Sequence, residues 1–371
     1  MKFVRMENLK TGMRLARPIY SKSGVLLFER DSQLSSSAIE SVKNFGLLGI
    51  YILEPAEPLP PMSDEDKEFE RFQTMMVASI QDELERIINT KHSKNILNVA
   101  TQIIRSYGHV ENKINFYQNL RSRDDFVSRH SLNVAMLCVL MSHILNLPRD
   151  EQQRLVFAAL VHDIGRLKSK NEAIFDVTAD QELKDALYRE TTSAYDIIEE
   201  VFATEGPMIK RICNQALRVQ KDKEDGKEET IPMDRMVIGS KILLVANVYD
   251  EKTAMNLSGE SESEVKAIKE FLDHPEIYDK DVVNALIASI NILFPGVSVE
   301  LSTGEKALVL TENVFNILQP TVLCFKDNSI LDMSLKANND IYVMDIMKTL
   351  DNRYIMDTDK LKNLTGGTEN A

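Results

Sequence analysis

The chain has 371 residues, which is enough for two or three domains and a sizeable helical core. Its 57 acidic residues outnumber 44 lysines and arginines, giving a formal net charge of -13. This balance argues against a broad surface for nucleic acid or an anionic membrane. No segment approaches the roughly 18 uninterrupted apolar residues of a membrane span, and residues 1–7 lack the apolar core of a signal peptide. We therefore expect a cytoplasmic protein.

Cysteine usage agrees with that expectation. The three cysteines are odd in number, far apart and set in apolar surroundings. They indicate reduced thiols inside a core rather than a disulfide framework.

Residues 1–54 are predicted to form a small α/β module. A strand at 25–28, a helix near 37–45 and a strand at 50–52 follow from the apolar pattern. Residues 55–63 are rich in proline, which favours extended polyproline geometry over helix or sheet. This segment is therefore predicted to be a linker and a domain boundary.

Residues 64–121 form the predicted helical connector. Apolar residues recur there at three- and four-residue spacings, which draws one stripe along a long helix. Two explanations stay open for this stripe. It packs against the following helices, or it forms a homodimer or signal-transmitting surface through residues 64–117.

The last part of the chain changes to short β segments. Residues 296–363 are predicted to form a small β module with a hairpin at 297–310 and further strands at 321–325 and 330–335. Residues 364–371 are predicted to be a disordered tail.

The chemistry lies in the middle of the chain, where His162 and Asp163 end the apolar segment 155–161. Together they offer a divalent ion one nitrogen and one oxygen ligand, and such an ion can activate water for attack on a phosphate ester. The pair alone, with Gly165 behind it, also fits an ordinary helix C-terminus. His130, 32 residues upstream in another apolar helical pattern, would bring a second imidazole to the same point. A third apolar helix at 241–250 carries polar groups at its end.

At these motifs the chain resembles the HD superfamily of metal-dependent phosphohydrolases, and within it the HD-GYP family, whose members hydrolyse cyclic di-GMP. The resemblance covers residues 122–295 and depends on segments 129–131, 158–166 and 246–250. It implies a mainly α fold, in which an HD-domain helical bundle is flanked by the small N-terminal α/β and C-terminal β modules.

The resemblance also implies roles for individual residues. It makes His130, His162 and Asp163 metal ligands, and it places Arg166 where the family usually has a phosphate-contacting lysine. Asp163 and Arg166 are accordingly the candidate catalytic residues, with Arg166 the candidate ligand-binding residue.

The rest of the family's site departs from its pattern. Phe126 stands where a carboxylate is expected, and Glu190 falls on the position of a further histidine ligand. Asn247 replaces an aspartate ligand, and no histidine occurs between His162 and His274. A carboxylate such as Glu190 still binds a hard cation. The remaining anionic ligands are too few to offset two ions, so we expect one ion of iron or manganese at most, or none.

Three functions remain open from the sequence. The first is a divergent signalling or nucleotide-binding module with lost or reduced hydrolysis, whose partner is a cyclic dinucleotide or a protein. The second is an active phosphohydrolase or phosphodiesterase with a single-metal site. The third is a structural scaffold, in which the site residues form a buried hydrogen-bonded cluster that holds three helices in register.

One further segment carries no apolar residue to bury. Residues 221–230 alternate in charge where the family has its Gly-Tyr-Pro loop. They are predicted to form a mobile, solvated loop.

Overall fold

The computed structural model describes residues 2–21, 23–53, 63–116, 118, 121–122, 124–168, 181–227, 229–254 and 261–347. Helices dominate these residues, and small sheets lie near both ends of the chain. The predicted fold class, a helical bundle flanked by two small sheet-containing modules, is confirmed.

The N-terminal module contains one helix and five short strands. They are β1 (Lys2–Arg5), β2 (Arg14–Leu15), β3 (Ile19–Tyr20), β4 (Leu26–Phe28), α1 (Ser36–Lys43) and β5 (Gly49–Leu53). The antiparallel sheet has the order β1-β5-β2, and β3 pairs separately with β4. Val42 of α1 packs on Ile50 and Ile52 in a small core of its own. The predicted linker lies almost wholly outside the described residues.

The connector consists of α2 (Asp64–Thr90) and α3 (Ile96–Tyr107). Ser63 starts α2 with a capping box, because its hydroxyl accepts from the backbone of Asp66 while the Asp66 carboxylate accepts from the backbone of Ser63. The apolar stripe of α2 is buried in the main core of the chain. Packing within the chain therefore accounts for the stripe, and the homodimer stays a prediction.

The bundle continues through eight more helices among the described residues. They are α4 (Phe126–Ile144), α5 (Arg149–Val161), α6 (Gln181–Ser193), α7 (Asp196–Phe202), α8 (Gly206–Glu224), α9 (Ile238–Thr253), α10 (Glu264–Asp273) and α11 (Lys280–Ser289). The central helix is α4, which is buried at every position from 126 to 142 and packs against α2, α3, α5, α9 and α11. A helix that is covered on all sides needs mostly apolar residues around its whole circumference. Its few polar side chains must therefore find partners inside the protein.

The prediction of a mobile loop at 221–230 is wrong for its first part. Helix α8 continues to Glu224, and both Lys221 and Asp222 are buried. The buried Asp222 carboxylate accepts from Lys227, which folds back over the helix end after Gly226 in the left-handed conformation. Charge pairing replaces apolar burial here, a possibility that the composition of the segment did not reveal.

The C-terminal module is a five-stranded antiparallel sheet. Its strands are β6 (Ser298–Leu301), β7 (Lys306–Thr311), β8 (Thr321–Cys324), β9 (Ile330–Asp332) and β10 (Val343–Ile346), in the order β10-β6-β7-β8-β9. The first four match the predicted hairpin and strands, whereas β10 was not predicted. The predicted disordered tail lies outside the described residues. Apolar residues of β6, β7 and β8 belong to the same core as the helices.

Two sequence-based expectations concern the whole chain. All three cysteines are buried and free. In the described part of the chain, no helix combines the length and apolar character that crossing a membrane would require.

Candidate metal centre

The predicted ligands meet where three elements of the bundle converge. His130 lies on α4, Asn247 lies on α9, and His162 and Asp163 directly follow α5. Asn247 Oδ1 is 2.8 Å from His130 Nε2 and 2.9 Å from His162 Nε2, and the two Nε2 atoms are 3.1 Å apart. Four of the five predicted metal ligands are therefore adjacent.

The carboxylate of Asp163 completes this cluster. Its Oδ2 is 3.5 Å from His130 Nε2 and 3.8 Å from His162 Nε2. The atom is buried and has no hydrogen-bond partner among the described residues. A buried carboxylate needs a compensating positive charge, and Arg166 Nε lies 3.0 Å from this oxygen without a well-directed hydrogen bond to it.

The outer nitrogen of each imidazole sets its tautomer. His130 Nδ1 lies 2.6 Å from Asp250 Oδ2, and His162 Nδ1 lies 2.8 Å from the backbone oxygen of Ala159. Because these oxygens only accept, both Nδ1 atoms carry the proton. In a neutral ring the Nε2 lone pair then faces the cluster, which is the arrangement that metal-binding histidines use.

The amide of Asn247 is oriented by a second chain of hydrogen bonds. Its Nδ2 donates to Gln220 Oε1 at 2.7 Å, and Gln220 Nε2 donates to Glu251 Oε2 at 2.6 Å. Since the carboxylate of Glu251 can only accept, this order of donors is fixed. Asn247 therefore presents its oxygen, rather than its nitrogen, to the two histidines.

Four electron-pair donors thus point at one another. Ligands that bind one ion at about 2.0–2.2 Å lie roughly 3.0–3.5 Å apart when adjacent. The observed separations of 2.8–3.8 Å bracket that range. The side chains of His130, His162, Asp163 and Asn247 therefore fit a single divalent ion.

Without a metal, a second proton on the imidazole of His130 provides positive charge among these donors. Burial acts to lower the pKa of His130, but the hydrogen bond and charge of Asp250 outweigh it and raise that pKa above its usual value. Burial lowers the pKa of His162. The second proton of His130 would lie on Nε2 and bridge to Asn247 or His162, so proton and metal compete for one position.

The carboxylate of Asp250 and the guanidinium of Arg121 form a buried ion pair next to His130. Asp250 is fully buried and accepts from Arg121 Nη2 at 2.6 and 2.9 Å, from Asn133 Nδ2 at 2.7 Å and from His130. Burial raises the pKa of Asp250, but Arg121 and His130 together bring it well below its usual range. Sequence reasoning noted Asp250 only as polar and missed Arg121, Asn133 and Gln220. Their positions depend on contacts that no local pattern encodes.

Arg166 is held by two carboxylates. Its Nε lies 3.0 Å from Asp163 Oδ2, and its Nη2 donates to Glu251 Oε1 at 3.1 Å. Although burial raises the pKa of Asp163, Arg166 and the two histidines lower it below the usual value. Arg166 therefore offsets part of the charge of Asp163, and a phosphate contact would have to replace one of these pairs.

Glu190 is not brought to the cluster. Its side chain is exposed and does not belong to the group of described residues that could hold an ion. A Cβ added to Gly165 would lie 2.7 Å from the backbone oxygen of Glu190 and 2.4 Å from Thr191 Cα. The glycine behind the His-Asp pair thus allows α6 to pack closely while the Glu190 side chain stays outside.

The pKa directions predict how stability depends on pH. Asp250 and Asp163 have lowered pKa values, so their contribution is present above about pH 4 and is lost as the pH falls through the folded values. His162, whose pKa is lowered, adds to the loss below about pH 6.5, whereas His130 contributes in the opposite direction. We expect the free energy of unfolding to fall by at least about 2 kcal/mol between pH 5 and pH 3. Urea titrations at several pH values test this, and a flat profile would contradict it.

One family model matches the region of the chain that contains this site. The HD domain family matches residues 127–250, a range that contains His130, His162, Asp163, Asn247 and Asp250. The match supports an HD domain over this range, and HD domains typically bind divalent metals. A solved structure described as an HDGYP protein from Bdellovibrio bacteriovorus is 16% identical, covers 77% of this chain and 97% of its own, and has a TM-score of 0.43. No curated protein matches the chain.

Proposed function

We propose that this chain is a divergent HD-GYP-like signalling module, related to cyclic di-GMP phosphodiesterases, with lost or strongly reduced hydrolysis. Its HD site takes at most one divalent ion. Cyclic di-GMP is the first ligand to test, because the family resemblance points to it.

The observation that carries this proposal is the charge of the convergent atoms. Asp163 supplies the only carboxylate among the four donors, and Arg166 offsets part of its charge. Two-metal phosphohydrolase sites hold their ions about 3.5–4 Å apart and need several anionic ligands. Among the described residues, His130, His162 and Asp163 are the one group of histidines, cysteines and acids that is arranged for a metal.

The burial of the site supports a regulatory role over rapid turnover. The four donor residues each expose 5% or less of their surface. The Arg166 side chain, which pairs with Asp163, is 17% exposed and is therefore more accessible than these four residues. A cyclic dinucleotide at this position would meet Arg166 first, before any metal-bound group.

The second candidate function is hydrolysis by a single-metal site. The fixed Nδ1–H tautomers favour it, since they leave both Nε2 atoms ready for an ion. When bound, the ion would supply an activated water. His130, His162, Asp163 and Asn247 would hold this ion. Asp250 would orient the imidazole of His130.

Metal content tests the proposal. Chain purified without chelator and saturated with Mn²⁺ should hold no more than one ion, and His162→Ala should hold none. His274→Ala is the matched control, because His274 lies outside the site and pairs with Glu276. Two ions per chain would contradict the proposal.

Titration with cyclic di-GMP then separates the three functions. We expect calorimetry to detect binding, with hydrolysis absent or slow, and Arg166→Ala to weaken that binding at least about tenfold. Rapid hydrolysis with one ion would establish the second candidate. Absence of binding would leave the structural scaffold.

A further inference from the structure

A cavity lined by both polar and apolar side chains lies away from the metal centre. Its volume is about 490 Å³, and its walls come from three regions: residues 17–21 and 44–47 of the N-terminal module, the middle of α2, and the first turn of α4 with the residues before it. It therefore lies between the N-terminal module and the helical bundle. Cavities between structural units are common places for small ligands.

Two ionisable side chains in this cavity, a carboxyl and a guanidinium, have unused hydrogen-bonding capacity. Burial raises the pKa of Glu70 to about 7, so an ammonium group bound beside it would favour its ionised form. The Glu70 side chain is 11% exposed, and its Oε1 has no hydrogen-bond partner among the described residues, with Arg17 Nε at 3.8 Å. The Arg129 side chain is 10% exposed and donates through Nε to Asp125 Oδ2 at 2.7 Å. Neither Nη group of Arg129 has a protein partner in the described part of the chain. A complementary ligand needs both an acceptor and a donor.

The rest of the lining shows what else the ligand would carry. Ile19, Leu27, Phe45 and Leu47 contribute apolar surface, and both Leu27 and Phe45 are exposed to solvent. Asp124 is a further carboxylate on the wall and is exposed. A ligand with an apolar part would cover this surface while its charged groups reach Glu70 and Arg129.

We propose that this cavity binds a small zwitterion of the amino-acid class. Its carboxylate pairs with the Nη groups of Arg129, its ammonium group donates to Glu70 Oε1, and its side chain packs on Leu27 and Phe45. Charge-assisted hydrogen bonds to buried partners of both signs select for a molecule that carries both groups.

Short hydrogen bonds connect this cavity with the metal centre. Gln118 lines the cavity, and its Oε1 accepts from Asn133 Nδ2 at 2.8 Å. Asn133 Nδ2 donates to Asp250 Oδ1 at 2.7 Å, and Asp250 holds His130. Gln73, also on the cavity wall, donates to Asn133 Oδ1 at 3.0 Å. Because this network is buried, a ligand that shifts Gln73 or Gln118 should change metal affinity, a consequence that rests on the proposed function.

Calorimetry on the full chain tests the cavity, with the twenty common L-amino acids titrated one at a time. We expect at least one to bind. For the tightest, the amide, which lacks the carboxylate, and the deaminated acid, which lacks the ammonium, should each bind at least about tenfold more weakly. Absence of binding by all twenty, or equal binding of either analogue, would overturn the proposal.

Variants locate the binding site. Glu70→Gln and Arg129→Gln should each weaken binding at least about tenfold. Arg14→Gln is the control, because Arg14 forms an exposed ion pair with Asp31. Unchanged binding by both cavity variants would overturn the assignment to this cavity.

The coupling is measured separately, as Mn²⁺ affinity with and without the bound amino acid. We expect a shift of about fivefold or more, and an equal reciprocal shift in amino-acid affinity. Unchanged Mn²⁺ affinity would overturn the coupling alone. Absence of any Mn²⁺ binding would overturn both the coupling and metal binding by the HD site. The amino-acid proposal is tested independently, because its binding is measured without metal.

Discussion

Asp250→Asn is expected to lower the free energy of unfolding by about 3–5 kcal/mol, measured by urea titration at pH 7 on metal-stripped protein. The Asp250 carboxylate is fully buried and pairs with Arg121, which is itself buried. Asparagine keeps the shape but removes the charge, so Arg121 becomes an uncompensated cation in the interior. Its amide nitrogen also opposes the donors of Arg121, Asn133 or His130.

The control for this variant is Asp273→Asn, which removes a carboxylate from the exposed ion pair with Lys269. It should change stability by no more than about 0.5 kcal/mol. Combining Asp250→Asn with Arg121→Met should cost less than the sum of the single changes, because no unpaired charge is left. A loss below about 1 kcal/mol for Asp250→Asn would show that the buried ionic group does not stabilise the fold as described.

Asn247→Asp is expected to raise Mn²⁺ affinity at least about tenfold, equivalent to about 1.4 kcal/mol. The Asn247 side chain already lies within 2.9 Å of both imidazole Nε2 atoms. The substitution therefore adds a negative charge among the four metal-facing side chains without a need for the backbone to move. The substitution also removes a hydrogen bond, because Gln220 Oε1 would then face a carboxylate oxygen in place of Asn247 Nδ2. We expect metal-free stability to drop by about 1–2 kcal/mol.

Asn339→Asp is the matched control, because it adds the same charge at an exposed position in the C-terminal module. Equilibrium dialysis on the three proteins gives the comparison. If Asn247→Asp binds Mn²⁺ no better than the unaltered chain, the neutral amide is not what limits the site, and the charge argument for reduced hydrolysis fails.

The bundle was predictable because its helices carry strong apolar patterns. The segments around His130, His162 and Asn247 were each recognised as buried helices, and the structure places them side by side. The charged end of α8 was not predictable in the same way. Asp222 is buried by partners that approach from both directions along the chain, and composition alone does not distinguish such a segment from a solvated one.

Within the site, the side chains that the structure brings together come from segments already recognised as apolar helices, while their role as metal ligands stays a prediction. Sequence reasoning did not place Glu190, because assigning a residue to a motif position says nothing about which way α6 turns its side chain. It also missed Gln220, whose segment showed no ligand-like residue type. Arg121 lies in a short stretch before α4 with no periodic pattern.

The sequence by itself determined the candidate donors: two imidazoles and the Asp163 carboxylate at apolar helical segments, a neutral amide at position 247, and Glu190 as a possible second carboxylate. That set of donors limits the charge available to a metal, whatever the fold. Only the tertiary structure decided which atoms meet and which lone pairs face inward. His130 is fixed by Asp250 from 120 residues away, and Asn247 by Gln220 from 27 residues away. Hydrogen-bond direction across such separations is set by helix packing, because local sequence specifies each helix but not what lies against it.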